Sequence, residues 1–530
     1  MASVASRPRA LPRLGSFPSS FVLPSLVLLG LFAVSAYLRT NSLGESLWMD
    51  EGLSIGIASQ PLLDIPGILR VDGSPPLYYM LLSGWMDLFG DGPAKTQALS
   101  VAVSLLAIPG GLWAGWSLFG RRAGLFCAAM CAVNPFLTAY AQETRMYALM
   151  LVMSLLATAA FLHVFAFGRR RYLPLFMLLL AGMLYTHNWG LFLGAGLALG
   201  LIPCWYVSEN RSSFWKDALI GFGGAGLLYL PWVPTLLHQV QHTGAPWLNP
   251  PNFGAPVQIT KSLLGGGTPT VALVLAGGTG IAAILARRVE DKERTALLSG
   301  AVIVLGTLGV AWIVSQVSPA WTTRYLGVLL GPMLLLGALG LARAGTLGLV
   351  ALVIVLGIWA IPKSYGLENK SNASDLRKDA VPELRKGDLV LSMQPEQGPL
   401  LAYHLEQLGG APDLRFGNPM GSVENDRVMD WTDGYDKLKG ATPSVNLEPL
   451  IASLPRGGRV LIVHPVTSRA DDWDAPWTEL VRRRSAQWGA ALASDPRLKR
   501  VAAFRRGAVP RTYRRATRIG VRGVMYEKTG

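Results

Sequence analysis

Between residues 18 and 361 the chain repeats one pattern: a long apolar run without charge, then a short loop that carries it. A helix needs about 20 such residues to cross a hydrocarbon layer of about 30 Å. In lipid every backbone N–H and C=O must be satisfied within the segment, so runs of this kind become helices. They lie near 18–37, 97–118, 124–141, 146–167, 172–187, 189–207, 218–237, 268–286, 296–315, 325–342 and 346–361, eleven in all. Pro109, Pro174 and Pro332 are candidate kinks. Composition closes off the soluble alternative. Charged residues make up 15% of the chain and AVILMFWYC 51%, against about 25% charged in soluble domains.

The first run follows Arg7, Arg9 and Arg13 and lacks a small-residue cleavage site, so it reads as a retained anchor. Orientation follows from the excess of Lys and Arg in cytoplasmic loops. With the N-terminus inside, the inner loops carry Arg121-Arg122, Arg169–Arg171, Arg211 with Lys216, Arg287 to Arg294, and Arg343. The outer loops keep isolated Arg39, Arg70, Lys95, Arg145 and Arg324. Eleven crossings then leave the C-terminal part outside. The net charge of +15 is largely this topology signal, and the basic tail suits anionic headgroups or a phosphorylated substrate. Nucleic acid is not expected as a partner on that face.

From about residue 363 the composition becomes that of a soluble domain. Strands are expected at 387–393, 459–465 and 519–527, with helices at 400–408 and 476–490. Alternating strands and helices predict a small extracytoplasmic α/β domain. It has no GxGxxG, phosphate loop or nucleophile elbow, so acceptor recognition or a lid is its expected role. Trp431 to Asp436 reads as a surface turn, with a carbohydrate-facing loop as the alternative. Cys127, Cys131 and Cys204 all sit in apolar runs as small hydrophobes.

The outer loops gather acids and aromatics. Trp48-Met49-Asp50-Glu51 follows the first run, and Asp72-Gly73-Ser74-Pro75-Pro76-Leu77-Tyr78-Tyr79 comes next. Asp50-Glu51 also fits the first turn of a helix, where carboxylates meet free N–H groups. Asn134-Pro135 precedes Gln142-Glu143-Thr144-Arg145-Met146-Tyr147. His187-Asn188-Trp189 and Trp321 to Tyr325 open onto the same face, as does the loop 238–267 with His238 and His242. Glu143 with Arg145 also fits a local salt bridge, and His187 fits turn packing. A zinc site would need a third ligand beside His238 and His242. No cofactor is expected, and a divalent metal has no support in these spacings.

The order of these motifs resembles the bacterial GT-C glycosyltransferases of the dolichyl-phosphate-mannose protein mannosyltransferase-like family and their aminoarabinose-transferase relatives. The resemblance spans roughly residues 20–345. It implies a polyprenyl-phosphate-linked sugar donor, an inverting transfer and an active site on the outer face of the bacterial inner (plasma) membrane. It also implies that Asp50 is the general base, Asp72 the second acid and Arg324 a holder of the lipid phosphate; no metal ligand is carried over. The chemistry agrees: phosphate leaves without an acid, whereas an acceptor hydroxyl needs one well-placed carboxylate. Glu51 or Asp72 can stabilise the oxocarbenium-like transition state. Arg145 is the second cation for the phosphate. Trp48, Tyr78 and Tyr79 can stack on sugar or line the lipid's exit, or serve as interfacial belt aromatics. His187, Glu143 and Tyr325 complete the outer mouth. The acceptor can be a glycan, a lipid or a protein, and membrane lipids surround the spans. A transporter or flippase of lipid-linked sugars is the rival class. It predicts repeats and acids within the spans, neither of which is seen.

Overall fold

The computed structural model describes residues 19–44, 46–286, 292–361, 370–411, 413–467, 474–506 and 520–530. Arg7, Arg9, Arg13, Arg287, Arg288 and the expected boundary at 362–363 lie outside the described residues.

Each of the eleven apolar runs coincides with helix. Among the described residues, six helices are long and apolar enough to cross a membrane: Pro93–Phe119, Tyr147–Phe165, Arg211–His242, Gly267–Leu285, Lys292–Val317 and Thr323–Arg343. The pair Arg121–Val133 and Pro135–Ala141 makes a seventh if its 49° bend lies within one span. The bend sits at Asn134-Pro135. Pro135 cannot donate to the preceding turn, and Asn134 restarts the helix by accepting the Leu137 N–H at 3.1 Å. Ser25–Thr40, Gly190–Tyr206 and Gly345–Ala360 are shorter apolar helices. Small residues let helices touch. A Cβ on Gly196 would run into the Thr307 hydroxyl, and one on Gly200 would stand 2.6 Å from Ile303.

The basic loops expected on the inner side meet at one end of the bundle. Arg343 binds Glu293 at 2.6 Å and donates to the Phe119 carbonyl at 3.0 Å, while Arg170 binds Asp217 at 2.6 Å. The acids and aromatics of the other loops meet at the opposite end.

The first loop expected on the outer side folds into three short helices. After α1 (Ser19–Thr40) come α2 (Met49–Ala58), α3 (Ile65–Asp72) and α4 (Leu77–Phe89). The C-terminal part folds into a six-stranded sheet: β1 (Leu389–Ser392), β2 (Arg415–Asn418), β3 (Gly421–Val423), β4 (Arg459–Pro465), β5 (Leu498–Phe504) and β6 (Val521–Lys528). The order is β3-β2-β1-β4-β6-β5. β1 runs parallel to both β2 and β4, and the outer pairings are antiparallel. Alternate residues face two cores. Val390, Leu461 and Val463 pack with Leu376, Leu401 and Leu405 on one side. Leu389, Leu391, Val460 and Ile462 pack with Trp488 and Leu492 of helix Pro476–Ser494 on the other.

The sheet domain is pressed against α2. Gly52 and Gly56, one turn apart, face it directly. A Cβ on Gly52 would lie 2.7 Å from the Leu400 backbone, and one on Gly56 would collide with the Arg427 carbonyl. Trp431 belongs to this seam. It is buried, its N–H donates to the Val71 carbonyl at 2.9 Å, and its ring packs between Trp247 at 4.6 Å and Trp477 at 5.1 Å. The segment from Trp431 to Asp436 does turn at the surface, at Thr432-Asp433, but the Trp431 ring is not free to face a carbohydrate because two other rings already cover it.

Candidate active site at the first turn of α2

α2 starts where the extended Trp48 hands over to helix, and its first turn carries Asp50 and Glu51. Both carboxylates suit the unpaired N–H groups there. Glu51 caps this turn from its third position: its Oε2 accepts the Trp48 N–H at 3.3 Å. It does more than cap. Oε2 also pairs with Lys370 at 3.0 Å. Oε1 accepts the Thr144 N–H at 2.9 Å and Gln97 Nε2 at 3.2 Å. Lys370 in turn donates to the Gln142 carbonyl at 2.8 Å. Glu51 is fully buried, and four donors saturate it. That leaves it no free lone pair for a reacting proton.

Asp50 is arranged differently. Its Oδ2 pairs with Arg324 at 2.8 Å, and no hydrogen bond reaches Oδ1 among the described residues. The Arg324 guanidinium lies over the rings of Trp48 at 5.3 Å and Tyr325 at 5.6 Å, and its Nε has no partner. Arg145 supports the same turn from the other side. Its NH1 donates to the Asp50 carbonyl at 3.2 Å and to Ser54 Oγ at 3.0 Å, with the Tyr79 hydroxyl at 3.5 Å. Its Nε is also unpaired.

Glu143 is buried with Oε2 unpartnered. Burial pushes its carboxyl up to about 7, with Glu51 and Asp50 adding to the rise and Lys370 and Arg324 opposing it. Glu143 and Arg145 therefore do not form the local salt bridge considered from sequence: Arg145 turns to Asp50 and Ser54 instead. Asp72 ends α3 just before Gly73, whose φ of 98° only glycine adopts without strain. Its carboxyl is raised by burial, while Ser74 and Arg145 pull it back. Asn188 fixes this corner by donating to the Gly73 carbonyl at 2.9 Å, and Gln239 donates to the Leu69 carbonyl at 2.8 Å.

The remaining candidates divide. Tyr79 meets Arg145, whereas Tyr78 turns away to Ser100 at 3.2 Å. His187 accepts the Trp189 N–H on Nδ1 at 3.1 Å, which is turn packing. Its ring still lies 4.9 Å from Tyr325. The His238 and His242 rings lie 4.6 Å apart at a tilt of 37°, but His242 binds Asp433 at 3.0 Å. Among the described residues no three His, Cys, Asp or Glu side chains are placed to hold a metal ion.

Asp50, Glu143, Arg145, Arg324, Trp48 and Tyr325 thus gather two carboxyl groups, two guanidinium groups and two aromatic rings, with Arg324 and Tyr325 half-buried and the others buried. Sequence reasoning missed Gln97 and Lys370, which set Glu51. Nothing local marks either, since both act across more than forty residues.

No protein-family model and no curated sequence relative matches the chain. Solved structures do. The fold is similar to that of ArnT from Cupriavidus metallidurans in the apo state, with a TM-score of 0.60 at 12% identity over 95% of this chain and 98% of that one. The same protein bound to undecaprenyl phosphate gives 0.58 at 14% identity, with the same coverage. The apo oligosaccharyltransferase of Archaeoglobus fulgidus gives 0.53 at 14% identity, over 88% of this chain and 73% of that one. At these identities the likeness concerns the fold: a polytopic helical bundle carrying a C-terminal sheet domain.

Proposed function

We propose that the chain is an inverting glycosyltransferase that moves a sugar from a polyprenyl-phosphate-linked donor to an acceptor hydroxyl on the outer face of the membrane. The observation that carries this reading is the half-buried Asp50–Arg324 pair at the first turn of α2. It supplies the two groups the chemistry needs, a base for the acceptor and a cation for the leaving phosphate. The fold shared with ArnT, one structure of which holds undecaprenyl phosphate, makes a lipid phosphate the natural anion.

In the resting site Arg324 satisfies Asp50. A phosphate is the better partner for a guanidinium fork. When the donor's phosphate engages Arg324, the Asp50 carboxylate is released from its ion pair and is free to accept the hydrogen bond of the acceptor hydroxyl. The base is thus armed by donor binding, and free acceptor alone does not trigger it. Asp50 takes the acceptor's proton as that oxygen attacks the anomeric carbon, and the sugar–phosphate bond breaks with its electron pair on phosphate. Arg145, fixed on the Asp50 carbonyl, holds the turn in place and adds positive charge. Asp72, at the Gly73 corner, supports the oxocarbenium-like sugar. Glu51 is a positioning residue.

The topology belongs to the same proposal. The eleven helical runs cross the membrane, with the N-terminus in the cytoplasm and residues 363–530 as a second, extracytoplasmic domain of a bacterial plasma-membrane protein. Two experiments test the reading. Purified chain in nanodiscs should bind undecaprenyl phosphate, and Arg324→Ala should weaken that binding at least tenfold; wild-type affinity in the variant removes Arg324 from the phosphate site. Cysteine labelling should mark residues near Asp50 and in 363–530 from outside; label on the tail from the cytoplasmic side overturns the orientation.

A further inference from the structure

One buried acid beside the site has no role in the proposed mechanism, and it comes from the sheet domain. Pro395–Gln397 follows β1, which has parallel neighbours on both sides. The carboxyl ends of parallel strands are where open α/β sheets take ligands. Here that end faces the first turn of α2: Gln394 Nε2 lies 3.5 Å from the sulfur of Met49, the residue before Asp50. Gln397 Nε2 donates to Gln394 Oε1 at 2.8 Å, and Gln394 Nε2 donates to Glu396 Oε1 at 2.7 Å. Trp477 Nε1 donates to the same oxygen at 3.0 Å.

The donors all end on Oε1, and Oε2 has no partner. Glu396 is 5% exposed, Gln394 1% and Gln397 3%. An unpaired buried acceptor is costly to a fold, and more so when charged. Here two side chains hold it in one orientation, and Gln397 fixes one of them. Burial raises the Glu396 carboxyl, and the nearby Asp50 charge adds to the rise. An apolar side chain would fill this place more cheaply, so the arrangement points to a ligand.

We propose that Glu396 is a binding residue for the acceptor and that the acceptor is a sugar, gripped through a ring hydroxyl other than the one that reacts. The inference rests on the glycosyltransferase reading and deepens it. Asp50 and Glu396 flank the contact between Met49 and Gln394, one carboxylate from each side of the domain seam. Two acceptor groups so placed call for a molecule with two hydroxyls on one rigid frame. A sugar ring has them, whereas a serine or threonine side chain has one. An ammonium group would meet Arg145, Arg324 and Lys370 around Asp50; a neutral hydroxyl does not. The half-buried Met49 thioether is the adjustable neighbour that lets the ring in.

The test uses the full chain in nanodiscs, with methyl glucopyranoside, N-acetylserine amide and undecaprenyl phosphate as probes in ligand-observed NMR titrations. Wild type should bind the pyranoside, and Glu396→Met should abolish that binding. Glu396→Gln is the variant that protects the fold. Its Oε1 keeps both donors, so its amide nitrogen takes the place of Oε2, and a charge-assisted bond becomes a neutral one. Pyranoside affinity should fall roughly tenfold, with undecaprenyl phosphate binding and melting temperature unchanged. Wild-type pyranoside affinity in both variants overturns the subsite, as does a wild type that binds the serine amide and not the pyranoside. If pyranoside binding depends on Glu396 but undecaprenyl phosphate does not bind, the subsite stands and the donor reading falls. If undecaprenyl phosphate binds but Glu396 makes no difference, the subsite alone falls.

Discussion

Glu51 receives donors from Trp48, Gln97, Thr144 and Lys370, whereas Asp50, one residue earlier, holds a single guanidinium. The two carboxylates share a helical turn and differ by one methylene. The helix points them about 100° apart, and that rotation decides their fates. The side facing Glu51 is a junction of three chain segments, where a charge is worth having only if every lone pair is used. The side facing Asp50 leaves Arg324, Arg145 and Glu143 each with an unpaired atom. A buried group with all its bonds made builds the protein; one held by few bonds is available to a substrate.

The largest test of this contrast is Asp50→Asn. The amide keeps the size and the first-turn position but accepts no proton. Transfer should fall roughly 10²–10⁴-fold, with the melting temperature close to wild type; a full transfer rate would assign the base elsewhere. The opposite result is expected on the other side. Lys370→Met leaves a buried carboxylate without its cation and should destabilise the chain by about 3–5 kcal/mol, and adding Glu51→Leu should recover much of that loss. Thermal unfolding of the two variants checks it: a single variant as stable as wild type would contradict the saturated junction.

Glu143 sharpens the comparison through pH. Its folded carboxyl stands at about 7 against an ordinary 4.5. Between those values the unfolded chain has released the proton and the folded chain still holds it. Stability is therefore fully present below about 4.5 and falls as pH rises to about 7. Glu143→Gln should flatten that stretch of the stability curve by on the order of a few kcal/mol. An unchanged slope would show that another group titrates there. The smallest effect belongs to the exposed His242–Asp433 pair. His242→Ala should cost less than about 1 kcal/mol, although that pair joins the same two parts of the chain as Lys370 does. A loss as large as that of Lys370→Met would mean that burial is not what separates the two contacts.

The same contrast explains what the sequence discloses. The helical runs are legible because each is set by its own apolar length, and β1, β4 and β6 because each is a continuous run of strand-forming residues. β2, no longer or shorter than β1, has Phe416 as its one strong strand former beside Arg415, Gly417 and Asn418, and β3 is three residues long with Gly421 and Ser422. β5 is an edge strand with Lys499, Arg500 and Val501 exposed, so it resembles a loop in composition. The motifs around Asp50, Asp72, Glu143 and Arg324 stand out as polar groups in an apolar chain. Which of two adjacent acids is spent on structure does not, because the answer lies in Gln97, Thr144 and Lys370. The seam is equally silent: Gly52 and Gly56 look like ordinary small residues until Leu400 and Arg427 are laid against them.

The reach of Lys370 across 319 positions to Glu51 also sets a timetable. Synthesis runs from the N-terminus, and domains fold in that order. Asp50 and Arg324 both leave the ribosome before Lys370. Until the last part of the chain has emerged and closed over α2, Glu51 lacks its cation and the first turn lacks one of its anchors. A half-made molecule in the membrane therefore already has both Asp50 and Arg324, while the α2 turn that carries Asp50 still lacks the anchor that Lys370 gives it through Glu51.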